Sequence, residues 1–166
     1  MRRYAPSMNR PGRRGDTHGP SPDEAPLVAI VDDDASVRQS ARRLIRSLGY
    51  RAEAFSSGEE FLSSACAAQT ASLVLDVRMP GMDGLEVQAR LAERHARIPI
   101  VFLTGRASDD EERRARSAGA VEFLRKPVGK ARLLQVLKKV LHVSHAFHEM
   151  AMTTESGDDP EMRLEP

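Results

Sequence analysis

The sequence predicts an α/β fold, a single five-stranded parallel sheet wound on both faces by five helices. Three observations carry that expectation. Short apolar runs without interruption, such as LVAIV (27–31) and IVFL (100–103), are the mark of strands buried on both faces. Segments with apolar residues at helical spacing lie between them. The two types alternate strictly from residue 27 to residue 143, the pattern of β-α units in a parallel sheet.

The elements follow in order. LVAIV opens the first unit, and ASVRQSARRLIRSLG continues it as a helix. Its apolar positions are Val37, Ala41, Leu44, Ile45 and Leu48, and Gly49 is placed to end it. RAEAF (51–55) reads as a weak strand and SSGEEFLSSACAA as a helix. LVL (73–75) is the third strand, and Asp83-Gly84 opens a helix through LEVQARLAERH. Pro99 introduces IVFL, and a charged helix spans 107–118 before Gly119. VEFL (121–124) is the fifth strand. ARLLQVLKKVLHV is the last amphipathic helix, with an expected continuation to about Met152. For five units of this size the expected strand order is 2-1-3-4-5.

The 166 residues divide by composition. Residues 1–25 form an Arg-, Pro- and Gly-rich leader, too poor in apolar residues for a core. Residues 26–143 form the domain, and 144–166 an acidic tail. Formal charge is +2 over residues 1–26, +4 over 27–143 and −5 over 144–166. No apolar run reaches the roughly 20 residues of a membrane span, and the basic N-terminus has no apolar signal core. The single cysteine, Cys66, has no partner for an intramolecular disulfide and reads as a small packing residue. Its solitary presence fits a reducing cytoplasm. His142, His145 and His148 drift around a helix rather than sharing one face, so no metal site is expected from them.

In a doubly wound sheet ligands bind at the carboxyl ends of the strands. Asp32, Asp33 and Asp34 follow the first strand, and Asp76 follows the third. Thr104 and Gly105 follow the fourth, and Arg125, Lys126 and Pro127 the fifth. A carboxylate at the end of a buried strand is costly without a partner, and several acids together repel one another. A hard divalent cation relieves both, and carboxylate oxygens with water suit Mg²⁺. With no Cys or His among the acids, zinc does not fit. Asp34 precedes the helix and suits its N-cap. A strand-end aspartate beside Mg²⁺ can also attack a phosphoryl group. Such a transfer needs positive charge on the phosphoryl oxygens, which Mg²⁺ and Lys126 offer from two sides. A cis peptide at Lys126-Pro127 fits that turn.

The stretches VAIVDDDASVR, LVLDVRMPGMDGLE, IVFLTG and AGAVEFLRKPV, in this order, resemble the response-regulator receiver domain of two-component signalling. The resemblance covers about residues 26–143 and implies a flavodoxin-like sheet. It also implies that Asp76 is the phosphoacceptor, served by a sensor histidine kinase or a histidine phosphotransfer protein. Asp32 and Asp33 form the acidic pair, and Asp33, Asp76 and the backbone carbonyl of Arg78 hold Mg²⁺. The DDD run permits a slip to Asp33 and Asp34. Asp32 and Asp33 are preferred because they follow Val31 directly and keep Arg38 at the family's distance. Thr104 and Lys126 sense and neutralise the phosphate, and Phe123 is the switch aromatic. Its turning inward would repack the face of helix 4, strand 5 and helix 5. The receiver resembles those attached to helix-turn-helix regulators, but the 23 residues after Val143 leave no room for a DNA-reading domain.

The expectation is therefore a stand-alone signalling switch, not a conventional enzyme, whose output is contact with a downstream protein. It is a monomer or a phosphorylation-dependent dimer, binding no specific nucleic acid and no membrane. Arg-rich patches such as RRARS (113–117) without a reading helix support at most salt-sensitive nonspecific binding. Phosphatases of the haloacid-dehalogenase type also use a strand-end aspartate. They need a second acid two residues later, where this chain has Arg78. A pseudo-receiver would have lost an acid, the threonine or the lysine, and none is missing.

Overall fold

The computed structural model describes residues 25–153, with side chains described for residues 25–141. The leader up to residue 24, the tail from residue 154 and the three histidine side chains lie outside the described residues.

Five strands form one parallel sheet in the order β2-β1-β3-β4-β5. They are β1 (Leu27–Val31), β2 (Arg51–Phe55), β3 (Thr70–Leu75), β4 (Ile100–Thr104) and β5 (Glu122–Arg125). The helices are α1 (Ala35–Ser47), α2 (Gly58–Ser63), α3 (Gly84–Glu93), α4 (Asp109–Ser117) and α5 (Lys130–Thr153), with one 3₁₀ turn at Ala67–Gln69.

The alternation of side chains along each strand splits the core in two. Ala29, Val31, Leu73, Leu75 and Phe102 face one way, packing on Phe61 and Leu62 of α2, Val87 and Leu91 of α3 and Ala115 of α4. Val28, Ile30, Val74, Val101 and Leu103 face the other way, onto Ala41 and Ile45 of α1 and Leu133, Val136, Leu137 and Val140 of α5. Because both faces are covered, β1 and β4 are apolar at nearly every position. Full burial of each such Val, Leu or Ile is worth about 1.5–3 kcal/mol.

Several boundaries differ from the sequence expectation, and those of β3 and α2 have a plain local reason. β3 begins at Thr70, three residues before its apolar run. The Thr70 hydroxyl donates to Cys66 O at 2.8 Å and the Ser72 hydroxyl to Pro99 O at 3.3 Å, so these polar side chains are satisfied inside the fold. α2 stops at Ser63, well short of Ala68. Ser63 and Ser64 donate their hydroxyls to carbonyls of the preceding turn, which competes with helix propagation. Cys66 is only half-buried and packs at the margin of the α2–α3–α4 core. α5 runs to Thr153, one residue past the expected continuation. Gly49 and Gly119 follow α1 and α4 with φ of 85° and 93°, the left-handed conformation that closes a helix.

Candidate functional site

The site is set by strand register at the carboxyl edge of the sheet. Val31 of β1 pairs with Leu75 of β3, so both strands end at one level, with Asp32 and Asp76 next in sequence. Asp76 N–H donates to Val31 O at 2.9 Å, and Asp32 N–H to Phe55 O at 3.3 Å. Both aspartates are buried, while Asp33 is exposed. One carboxylate oxygen from each of Asp32, Asp33 and Asp76 lies within 4.8 Å of the others.

Lys126 reaches this cluster from the end of β5, at the same carboxyl edge. Its Nζ donates to Asp32 Oδ2 at 2.6 Å and to Asp76 Oδ2 at 3.3 Å. The lysine backbone is anchored by Lys126 N–H donating to Thr104 O at 2.7 Å, and the Lys126-Pro127 peptide is cis. Burial pushes the Asp32 carboxyl above its ordinary value, and the Lys126 bond offsets this only in part. Burial works to lower Lys126, but its bond to Asp32 and the charges of Asp76 and Asp32 outweigh it, so the ammonium form is favoured.

The residues present fit a hard divalent cation. One oxygen from each of the three carboxylates lies within 4.8 Å of the others, and an all-oxygen donor set is the kind such a cation prefers. Three carboxylates also face a single ammonium here, a formal imbalance that one divalent ion removes. Asp34 is not part of this group. Its Oδ1 accepts from Ser36 N–H at 2.7 Å and from Val37 N–H at 3.3 Å, capping α1. Arg78 N–H donates to Asp76 Oδ1 at 3.2 Å, which keeps the Arg78 peptide beside the Asp76 carboxylate.

Thr104 ends β4, fully buried, and its Oγ1 accepts from Arg106 N–H at 3.3 Å. Phe123 is buried, its ring centroid 5.7 Å from that of Phe102 at an interplanar angle of 37°. The ring therefore lies inward, within the α2–α3–α4 side of the core.

Three arginine contacts around the site had no signal in composition or periodicity. Arg38 of α1 donates through Nη1 to Asp32 O at 2.6 Å and to Asp33 O at 2.8 Å. The Arg78 guanidinium bridges to Glu111 at 3.0 Å, in the first turn of α4. Arg125 donates to Ala107 O at 3.0 Å and to Asp109 Oδ1 at 2.7 Å. Only the position of each arginine, close in sequence to an aspartate or to the lysine, pointed toward them. The partners of Arg78 and Arg125, on α4 and in the β4–α4 loop, depend on packing, whereas those of Arg38 lie in the turn before its own helix.

The family model described as the response regulator receiver domain matches residues 28–138. Among curated proteins the chain is similar to response regulator protein TmoT of Ectopseudomonas mendocina, with 38% identity over 141 residues. That match covers 85% of this chain and 63% of the relative. It is also similar to nodulation protein W of Bradyrhizobium diazoefficiens, with 43% identity over 111 residues, covering 67% of this chain and 49% of the relative. Among solved structures it is similar to chemotaxis protein CheY4 of Vibrio cholerae, at 32% identity and a TM-score of 0.64. There the overlap is 70% of this chain and 99% of the other. The chain thus spans less than two thirds of the length of the two curated relatives.

Proposed function

The chain belongs to the response regulator receiver domain family, and from that premise we propose that Asp76 accepts a phosphoryl group from a phosphohistidine. The donor is a sensor histidine kinase or a histidine phosphotransfer protein. The observation that carries this reading is the position of Lys126 Nζ, in hydrogen-bond contact with both Asp76 and Asp32 at the edge of a three-carboxylate cluster.

In the transfer, an Asp76 carboxylate oxygen forms the new bond to phosphorus as the phosphorus–nitrogen bond breaks. The electron pair of that bond returns to the donor imidazole. Mg²⁺, when bound, neutralises charge on the phosphoryl oxygens, and Asp32, Asp33, Asp76 and the carbonyl of Arg78 are the residues to hold it. Lys126 supplies the second positive contact to the phosphoryl group. Thr104, whose Oγ1 accepts from Arg106 N–H, donates its hydroxyl proton to a phosphoryl oxygen. Phe123 and the face of α4, β5 and α5 carry the response.

The receiver is a signalling switch, and self-catalysed phosphoryl uptake and loss are its only proposed chemistry. Residues 26–143 constitute the switch. Its output is contact with a downstream protein, in the cytoplasm, and it acts without specific nucleic-acid or membrane binding. Phosphorylation shifts a two-state equilibrium, and the partner selects the active face.

The test is intact-protein mass after incubation with acetyl phosphate, for the wild type and Asp76→Ala, with Mg²⁺ and with chelator. One added phosphoryl group is expected only in wild type with Mg²⁺. Addition to folded Asp76→Ala at the same level would overturn the assignment.

A further inference from the structure

Asp33 is the exposed member of the acidic group, and among the described residues no protein donor reaches its carboxylate. Its backbone therefore decides only where its Cβ is placed. The turn from Asp32 to Asp34 is held at several points. Asp34 N–H donates to Asp32 Oδ1 at 2.9 Å, and Asp34 O accepts from Arg38 N–H at 3.0 Å as the first bond of α1. The two remaining carbonyls, those of Asp32 and Asp33, both accept from Arg38 Nη1, at 2.6 and 2.8 Å. Short bonds from a charged donor are the strong ones. They fix the orientation of two successive peptide planes, and the Asp33 side chain is carried on those planes.

We propose that Arg38 is a positioning residue for the cation site. It holds the β1–α1 turn so that the Asp33 carboxylate meets those of Asp32 and Asp76 before any ion arrives. This rests on the reading of the site as a Mg²⁺ and phosphoryl site. The sign of the effect separates positioning from electrostatics. The guanidinium is a positive charge beside a cation site, so by Coulomb's law alone its removal would tighten Mg²⁺ binding. If it preorganises the turn, removal weakens binding, because the ion must then order Asp33 itself. Groups that orient metal ligands typically contribute 10- to 100-fold in affinity.

Calorimetric titration with Mg²⁺ alone, without phosphodonor, compares wild type, Arg38→Met and Arg38→Lys, with thermal unfolding as the fold control. Arg38→Met is expected to bind Mg²⁺ at least about tenfold more weakly. Arg38→Lys, with one nitrogen on a different stem, is expected to fall between the two. In phosphoryl uptake from acetyl phosphate, the half-saturating Mg²⁺ concentration rises by the same factor, and the rate at saturating Mg²⁺ approaches that of wild type. Binding by folded Arg38→Met as tight as wild type, or tighter, would overturn the proposal. Should that variant not fold, Arg38→Lys decides, and affinity equal to wild type refutes the positioning role. Absence of Mg²⁺ binding by the wild type would instead refute the reading of the site, and this proposal with it.

Discussion

Lys126 and Asp32 are 94 positions apart in the chain, and Lys126 Nζ sits 2.6 Å from Asp32 Oδ2. The lysine crosses from the end of β5 over β4 and β3 to reach the end of β1. It is the cation that lets two buried carboxylates stand side by side, since Asp76 Oδ2 is 3.3 Å from the same nitrogen. Removal of one partner from such a group leaves the others buried without compensation.

Lys126→Ala should therefore destabilise the protein in chelator by about 2 kcal/mol. That is below the range for a fully buried pair, because the lysine side chain is 22% exposed. Urea unfolding with chelator and with Mg²⁺ reads this, and Mg²⁺ should recover a larger share of stability in the variant than in wild type. Phosphoryl uptake should persist while the spectroscopic change on activation weakens. An unchanged activation signal would count against the role given to Lys126.

Glu111 joins the start of α4 to the loop after Asp76. Its carboxylate accepts from Ser108 N–H at 2.7 Å in a capping box and pairs with Arg78. The Ser108 N–H above all, helped by the Ser108 hydroxyl and Arg78, holds Glu111 below the ordinary glutamate value, against burial, which raises it and ranks second. A lowered folded value means stability present above the unfolded value of 4.5 and lost as pH falls through the folded one. Glu111→Gln should cost less than about 1 kcal/mol at neutral pH. Its difference from wild type in urea midpoint should shrink steadily below pH 4.5. A difference that stayed constant down to pH 3 would show that the carboxylate charge is not what anchors α4.

Gly84 starts α3 directly against the backbone of Asp76 and Val77. A Cβ there would overlap the carbonyl oxygen of Asp76 and stand 3.0 Å from Val77 Cα. Those are backbone atoms, which cannot step aside as a flexible side chain would. Gly84→Ala should therefore cost about 1–3 kcal/mol and displace the loop that carries Asp76, slowing phosphoryl uptake. Wild-type stability together with a wild-type uptake rate would contradict this packing.

Gln88 ties α3 to the far end of α4. The buried Nε2 donates to Ala115 O at 3.1 Å and to Ala118 O at 3.2 Å. Gln88→Leu keeps the volume and removes both bonds, at an expected cost of about 1–3 kcal/mol. Amide hydrogen exchange should quicken around Ala115–Ala118 while the β1 amides stay protected. Equal exchange in the two proteins would leave Gln88 without an anchoring role.

Local rules made most of the fold legible. Strands buried on both faces must be apolar throughout, so β1 and β4 are plain in the sequence, and Gly49 and Gly119 announce helix ends. The starts of β3 and the end of α2 were not legible. Thr70, Ser72, Ser63 and Ser64 are polar, and whether a hydroxyl extends a strand or ends a helix depends on which carbonyl it finds. The strand-end residues Asp32, Asp76, Thr104 and Lys126 were legible as a set, because the carboxyl edge of a parallel sheet gathers whatever follows each strand.

The sequence by itself determined the β-α alternation, the sheet it implies and the chemical inventory of its carboxyl edge, since these follow from periodicity and from position after each apolar run. Only the tertiary structure decided how that inventory is arranged. Asp32 was turned to Lys126 and Phe123 toward Phe102, while Arg78 and Arg125 were given their partners on α4. Hydrogen bonds and ion pairs act over about 3 Å. The atoms that make them are brought to that distance by register and packing between segments, which no local pattern encodes.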